Sequence, residues 1–312
     1  MKTPRIALIA PCFNEEVTIA QVIEDFRKAI PSLLCYVFDN HSSDKTADVA
    51  RRAGAEVRRV PLKGKGNVVH RMFADVDADI YIMVDGDATY DAAAAPQLVQ
   101  LLIDDDLDMV VGSRVSEAEG AYRPGHRWGN RILTDFVGLI FGRAFDDMLS
   151  GYRVFSRRFA KSFPAHAQGF EIETELAVHA LQLRMAVAEV RTVYGARPQG
   201  SVSKLSTYRD GWRILLTIVG LFKAEKPLGF FGIIFLVMLS SAIALAIPLI
   251  VTYIETGLVP RLPTAVLCSG LVLLAFLLLV CGIILETVTL GRIEAKRQSY
   301  LQISSTRSLL EL

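Results

Sequence analysis

Cysteine is scarce and poorly placed for chemistry. The chain of 312 residues holds four, Cys12, Cys35, Cys268 and Cys281, without the spacing of a metal site. Histidine is as thin. His41, His70, His126, His166 and His179 are scattered without zinc-like spacing, so each reads as structural or surface. A charge excess of either sign is missing too. Formal net charge is +1, which gives no electrostatic footprint for nucleic acid as a partner. No secretory leader is expected, because the apolar stretch at 6–10 is too short and polar residues follow at once. Gly64-Lys65-Gly66-Asn67-Val68-Val69 lacks the third glycine of a dinucleotide fingerprint and follows the third expected strand rather than the first. That argues against a nicotinamide dehydrogenase.

Charge is absent from two long stretches, 228–254 and 262–285, and the 52% hydrophobic composition owes its excess to them. Each exceeds the roughly 20 residues that span a bilayer. They read as a transmembrane hairpin joined by the short link 255–261. Arg209, Arg213, Lys223 and Lys226 precede it, Arg292, Lys296 and Arg297 follow it, and the link carries only Arg261. That bias puts both termini and the large amino-terminal part in the cytoplasm, where thiols stay reduced. The expected division is a cytoplasmic domain at 1–225, a hairpin at 226–290 and a cytoplasmic tail at 291–312. Trp212 to Phe222 is mostly apolar with a narrow polar stripe of Arg213, Thr217 and Gly220. It reads as an interfacial helix, at about 209–224, or else as a core helix of the domain.

Before the hairpin, expected strands at 5–10, 34–38, 56–60, 80–84 and 109–113 alternate with helical spacing such as Ile19, Val22, Ile23, Phe26 and Ile30. This predicts an α/β fold with a mostly parallel sheet and helices on both faces. Pro11 should stop the first strand, and Asn14 should cap the first helix with Glu15 and Glu16 in its opening turn. Asp39, Asp85, Asp87 and Arg114 fall at strand ends, where such folds bind ligands.

The most telling stretch is YIMVDGDATYD at 81–91. Two carboxylates at the mouth of a buried strand are costly unless positive charge sits between them. A hard divalent cation bridging to a phosphate would supply it; a plain polar turn is the alternative. Lys63 and Lys65, with their glycines, either cradle phosphate or form a solvated basic loop.

Seven segments in order then resemble the family 2 glycosyltransferases of GT-A fold, and among them the polyprenyl-phosphate transferases related to dolichol-phosphate mannose synthase. Pro11-Cys12-Phe13-Asn14-Glu15-Glu16 resembles the P-x-x-N-E-E opening. Asp39 to Asp44 stands where D-D-G-S-x-D is usual, with Asn40-His41 as the departure. Lys63 to Gly66 resembles the G-K-G loop, and Asp85-Gly86-Asp87 the D-x-D. Ser150 to Arg153, Gly169 to Leu176, and Ser203-Lys204 with Tyr208 to Gly211 resemble three later segments.

The resemblance covers about the first 225 residues and implies an inverting, single-displacement transfer of a hexose. The donor would be a UDP-hexose or GDP-mannose, and the acceptor polyprenyl phosphate in the inner leaflet. It implies that Asp39 contacts base or ribose, walled by Pro11, Asn14 and Glu15, unless Asp39 only caps a turn. Asp85 would touch ribose or sugar, and Asp87 would ligate Mg2+ or Mn2+, with Thr89 as a further oxygen ligand or a simple turn hydroxyl. Lys65 would serve the donor, and Lys204 and Arg209 the donor diphosphate or the lipid phosphate. Arg114, Arg123, Arg127 and Arg131 suit a lipid phosphate or the inner-leaflet surface. Glu171, Glu173 and Glu175 stand where many members hold a catalytic base; Glu171 and Glu175 share a helix face and Glu173 does not. A polysaccharide-extending synthase is a second reading, although Pro124 breaks the required Q-x-x-R-W before Trp128. A non-catalytic membrane scaffold is a third. Association of the hairpins into a homo-oligomer is left open.

Overall fold

Apolar runs bounded by turn residues become the strands. The computed structural model describes residues 3–115, 126–142, 145–165, 167–169, 171–198 and 207–311. Along the chain come β1 (Ile6–Cys12), α1 (Ile19–Ala29), β2 (Leu34–Asp39), α2 (Thr46–Arg52), β3 (Glu56–Arg59), α3 (Lys65–Asp75) and β4 (Ile80–Met83). Then follow α4 (Ala95–Asp104), β5 (Met109–Val115), α5 (His126–Phe141), β6 (Arg153–Ser156), α6 (Arg157–Ser162), α7 (Ile172–Leu183) and β7 (Val187–Val193). The sheet order among the described residues is β3-β2-β1-β4-β6-β5-β7.

Neighbouring strands run parallel except around β6, which pairs antiparallel with both β4 and β5. Residues Ile6–Ala10 of β1 and all of β4 are buried, as strands covered on both faces must be. Two local expectations are corrected. The first strand does not stop at Pro11 but runs to Cys12. Its pairing with β4 ends at Ile9, so the missing Pro11 N–H costs no ladder bond on that side. Asn14 does not cap α1 either. The helix starts at Ile19 with Thr18 at its cap position, and Asn14 sits in a left-handed turn at φ +54°. The inward face of α1 is Ile19, Val22, Ile23 and Phe26. Each such side chain, fully buried, stabilises the fold by about 1.5–3 kcal/mol.

The rest of the chain holds α8 (Thr207–Glu225), α9 (Pro227–Thr256), α10 (Leu262–Leu301) and α11 (Thr306–Glu311). The chain forms two units, one of residues 1–215 with 296–312, the other of residues 216–295. In the second unit, α9 and α10 are long and apolar enough to cross a membrane. Gly282 lets them approach, since a Cβ there would lie 3.0 Å from that of Phe231. Thr289 Oγ1 donates to the Ala224 carbonyl at 3.0 Å, and Leu228 N–H donates to Glu286 at 3.2 Å. Along α8, Trp212, Leu216 and Val219 form an exposed apolar row while Ile214 and Ile218 are buried. One face is therefore covered and the other is greasy and open.

The last residues pack into the first unit, which their composition did not foretell. Tyr300 donates its hydroxyl to Asp108 at 2.9 Å, the Arg158 guanidinium lies 5.0 Å above the Tyr300 ring, and Lys296 donates to Gln182 at 2.8 Å. Asp108 is fully buried, and Ser156 and Arg158 also donate to it.

Candidate active site

The carboxyl ends of β1, β2 and β4 bring three loops together. Asn14, in its left-handed turn, donates its N–H to Ser42 Oγ at 2.9 Å and accepts from Ser43 N–H at 2.7 Å. Glu15 is buried, and its N–H donates to Thr46 Oγ1 at 2.8 Å. The loop after β1 is thus bolted to the loop after β2, with Pro11 in register beside Phe38. Asp39 is buried; one oxygen caps the turn through Ser42 N–H at 3.2 Å, and the other lies 4.0 Å from Arg59. The Asn40-His41 departure is structural. Asn40 donates to Leu62 O at 2.7 Å and accepts from Gly64 N–H at 2.7 Å. His41 takes φ +62°, the region a glycine would favour, and its Nε2 lies 2.5 Å from Pro61 O.

Asp85 and Asp87 follow β4, separated by a glycine that the packing requires. A Cβ at Gly86 would lie 2.6 Å from Cys12 Sγ. Thr18 Oγ1 donates to Gly86 O at 2.6 Å, which ties the start of α1 to this turn. Each aspartate meets an internal cation. Lys65 Nζ lies 2.5 Å from Asp85 and 2.6 Å from Glu173, and its side chain is only 10% exposed. Burial alone would lower the Lys65 pKa; the charges of Asp85 and Glu173 outweigh it and hold the ammonium protonated. Arg197 lies 2.5 Å from Asp87 Oδ2, and Thr89 Oγ1 donates to Asp87 Oδ1 at 2.6 Å. Burial and the neighbouring Asp85 charge push the Asp87 carboxyl up, partly offset by Arg197 and Thr89.

In the glycine-lysine loop the backbone amides and the two lysines part company. Gly66 N–H donates to Gln168 O at 3.1 Å and Gly64 N–H to Asn40, so these amides are spent inside the protein. A Cβ at Gly66 would lie 2.0 Å from Ala167 O, which makes glycine obligatory. Lys65 points inward, and Lys63 alone is exposed.

The three glutamates divide as their helix faces predict. Glu171 accepts from Gly169 N–H at 2.9 Å and Glu175 from Ala167 N–H at 2.7 Å, so both brace the loop before α7. Glu173 turns the other way, to Lys65. Arg114 is gripped by Asp147, Nε to Oδ2 and Nη2 to Oδ1 both at 2.7 Å, with the Tyr194 ring 5.7 Å away. It stands within β5 rather than after it. Arg123 and Lys204, and the side chains of Arg127, Arg131 and Arg209, lie outside the described residues. His179 is structural, as expected. Buried beside Phe159 and Phe163, it is pushed down to about 3 by burial and by Lys296.

The sequence reading missed Arg197, because it did not recognise β7 and so could not place a strand-end residue beyond it. The donor set fits a divalent cation. Two carboxylates one residue apart are drawn to positive charge, and Asp87 is nine-tenths buried with its charge otherwise disfavoured. Among the described residues no third His, Cys, Asp or Glu completes a cage. Such a pair suits Mg2+ or Mn2+, which are commonly held by one or two carboxylates plus water and substrate phosphates.

Comparison with known proteins agrees. The family described as Glycosyl transferase family 2 matches residues 7–163. The glycosyltransferase AglJ of Haloferax volcanii is 33% identical over 302 residues, 95% of this chain and 98% of that protein. The dolichyl-phosphate hexose transferase of the same organism is 24% identical over 221 residues, 71% of this chain and 95% of that protein. Glucosyl-3-phosphoglycerate synthase from Mycobacterium tuberculosis, crystallised with Mn2+, UDP-glucose and phosphoglyceric acid, superposes with a TM-score of 0.56 at 22% identity. That superposition covers 70% of this chain and 79% of the other, and it establishes the fold. By the family match and the full-length likeness to AglJ, this chain is a GT-A member of the family 2 glycosyltransferases.

Proposed function

We propose that the protein transfers a hexose from a nucleoside-diphosphate sugar, UDP-hexose or GDP-mannose, to polyprenyl phosphate at a membrane surface. The observation that carries this reading is the Asp85–Asp87 pair, held at the mouth of β4 by internal cations. Asp87, with Asp85 beside it, would hold Mg2+ or Mn2+; Thr89 already serves Asp87 as a hydrogen-bond donor. The bound ion would supply positive charge where the diphosphate leaves. Lys65, fixed against Asp85, adds a second charge on that side. Pro11, Asn14, Glu15 and Asp39 wall the nucleotide, and Lys204 joins the donor side.

An acceptor phosphate oxygen attacks the anomeric carbon as the bond to the diphosphate breaks, so the configuration inverts. A phosphate monoester has a second pKa of about 6 and is largely ionised at neutrality. It needs little help from a base, and Glu173 is committed to Lys65. Arg127, Arg131 and Arg209 take the lipid phosphate together with Arg114, whose guanidinium is held by Asp147.

The lipid acceptor draws support from the two apolar helices and from the open row Trp212, Leu216 and Val219. The name of the dolichyl-phosphate hexose transferase relative points the same way. If α9 and α10 span, residues before and after them lie on one side, because 296–312 packs into the unit that holds 1–215. The Lys/Arg bias makes that side the cytoplasm. The test uses purified protein in detergent with Mg2+ or Mn2+, polyprenyl phosphate and a panel of UDP- and GDP-hexoses. Nucleoside diphosphate release that needs both the lipid and one donor is expected. Equal release without lipid would refute the acceptor.

A further inference from the structure

Resting on the metal-dependent transfer above, we propose that Arg197 couples binding of the divalent cation to binding of the nucleoside diphosphate. Both oxygens of Asp87 carry a donor, Thr89 on Oδ1 at 2.6 Å and Arg197 on Oδ2 at 2.5 Å. The Asp87 side chain is 4% exposed, so solvent screens this corner weakly. A divalent ion on Oδ2 therefore shares that oxygen with a guanidinium of the same sign, and the two cannot both keep full contact with it. Arg197 is the movable partner. Its side chain is 26% exposed against 4% for Asp87, so it is the solvent-accessible member of the pair. Its backbone is tethered two residues earlier, where Gly195 N–H donates to Thr89 O at 2.8 Å.

A diphosphate offers that guanidinium a second anionic partner of the planar, bidentate kind it favours. When Arg197 turns to the diphosphate, Asp87 Oδ2 is released to the cation. Each ligand then raises the affinity of the other by the same factor, as linkage requires. Lys65 is less suited to this part, because Glu173 holds it as closely as Asp85 does.

The experiment is Mn2+ binding to the full-length protein in detergent, followed by the electron paramagnetic resonance of the free ion. It is run at about pH 8, where carboxylates are ionised, alone and with UDP or GDP, against protein-free nucleotide controls. Wild type should bind Mn2+ weakly alone and roughly tenfold or more tighter with the nucleotide that fits. Arg197→Gln should bind Mn2+ alone roughly tenfold tighter than wild type, and the nucleotide should then add less. Arg197→Lys, which keeps the charge, should return toward wild type. Arg197→Gln with the same or weaker Mn2+ affinity in the absence of nucleotide would overturn the coupling. So would Arg197→Lys binding Mn2+ in the absence of nucleotide as tightly as Arg197→Gln. Wild type that binds no Mn2+ with either nucleotide would sink the metal-dependent reading and the coupling together. Binding by wild type with nucleotide, unaltered in Arg197→Gln, would sink the coupling alone.

Discussion

Glu173→Gln separates an anchor from a catalytic base. Lys65 Nζ lies 2.6 Å from Glu173 and 2.5 Å from Asp85, and the Glu173 side chain is 6% exposed. The amide keeps the shape and one acceptor oxygen but loses the charge. The ammonium stays charged, so its bond to the amide oxygen remains in the class worth about 1.5–3 kcal/mol, and the substitution costs about the width of that range, about 1–1.5 kcal/mol. Felt in the placement of Lys65 against the donor, that is at most about tenfold. Removing a general base would cost roughly 100- to 10,000-fold. The assay is kcat and donor KM in detergent micelles, with the thermal midpoint of each variant. The account predicts a loss within about tenfold, mostly as a raised donor KM, and an acid limb of the pH–rate profile that does not move. Lys65→Met should be harsher. It leaves two carboxylates facing each other, at about 3 kcal/mol by the cost of breaking a buried pair, the low end because Asp85 is 30% exposed. A fall in kcat beyond 100-fold in Glu173→Gln, with thermal midpoint and donor KM unchanged, would make Glu173 the base and refute this reasoning.

Other consequences follow from the same contacts. Asp87→Asn should abolish transfer in a protein that still folds, read by product formation and circular dichroism; normal turnover would remove Asp87 from the metal site. His179 is neutral in the fold at about 3 against an ordinary 6.5, so the unfolded chain binds the extra proton. Stability from this group is complete above about pH 6.5 and falls as pH drops toward 3, by about 2 kcal/mol at pH 5. His179→Gln should flatten that acid limb in thermal unfolding, and an unchanged slope would contradict the assignment. Tyr300→Phe removes one donor to buried Asp108. It should lower the thermal midpoint by the equivalent of about 1–2 kcal/mol, whereas a tail that hangs loose would show no change.

What the sequence made legible was local. Continuous apolar runs marked β1, β2, β4 and β5, because a strand covered on both faces needs no alternation. The acidic ending of β4 marked the site, and helical spacing put Glu171 and Glu175 on one duty and Glu173 on another. Partners far apart along the chain were not legible. β6 is four residues long and carries the buried Arg153, whose Nε donates to Ser150 O at 3.0 Å. Its charge hid a core strand. Asn14 is a good helix cap by type, yet its φ of +54° and the nearby Ser43 N–H recruit it to join two loops. Asp147 belongs to no motif and still claims Arg114, and Tyr300 reaches Asp108 across 192 positions of sequence.

The central claim is tested most directly by mass analysis of the lipid after incubation with the one donor that supports nucleotide release. The account predicts a glycolipid of the polyprenyl phosphate plus a single hexose, of inverted configuration, formed by wild type with Mg2+ or Mn2+ and not by Asp87→Asn. Nucleotide release with the lipid unmodified, or hexose added to a longer glycan instead, would contradict it.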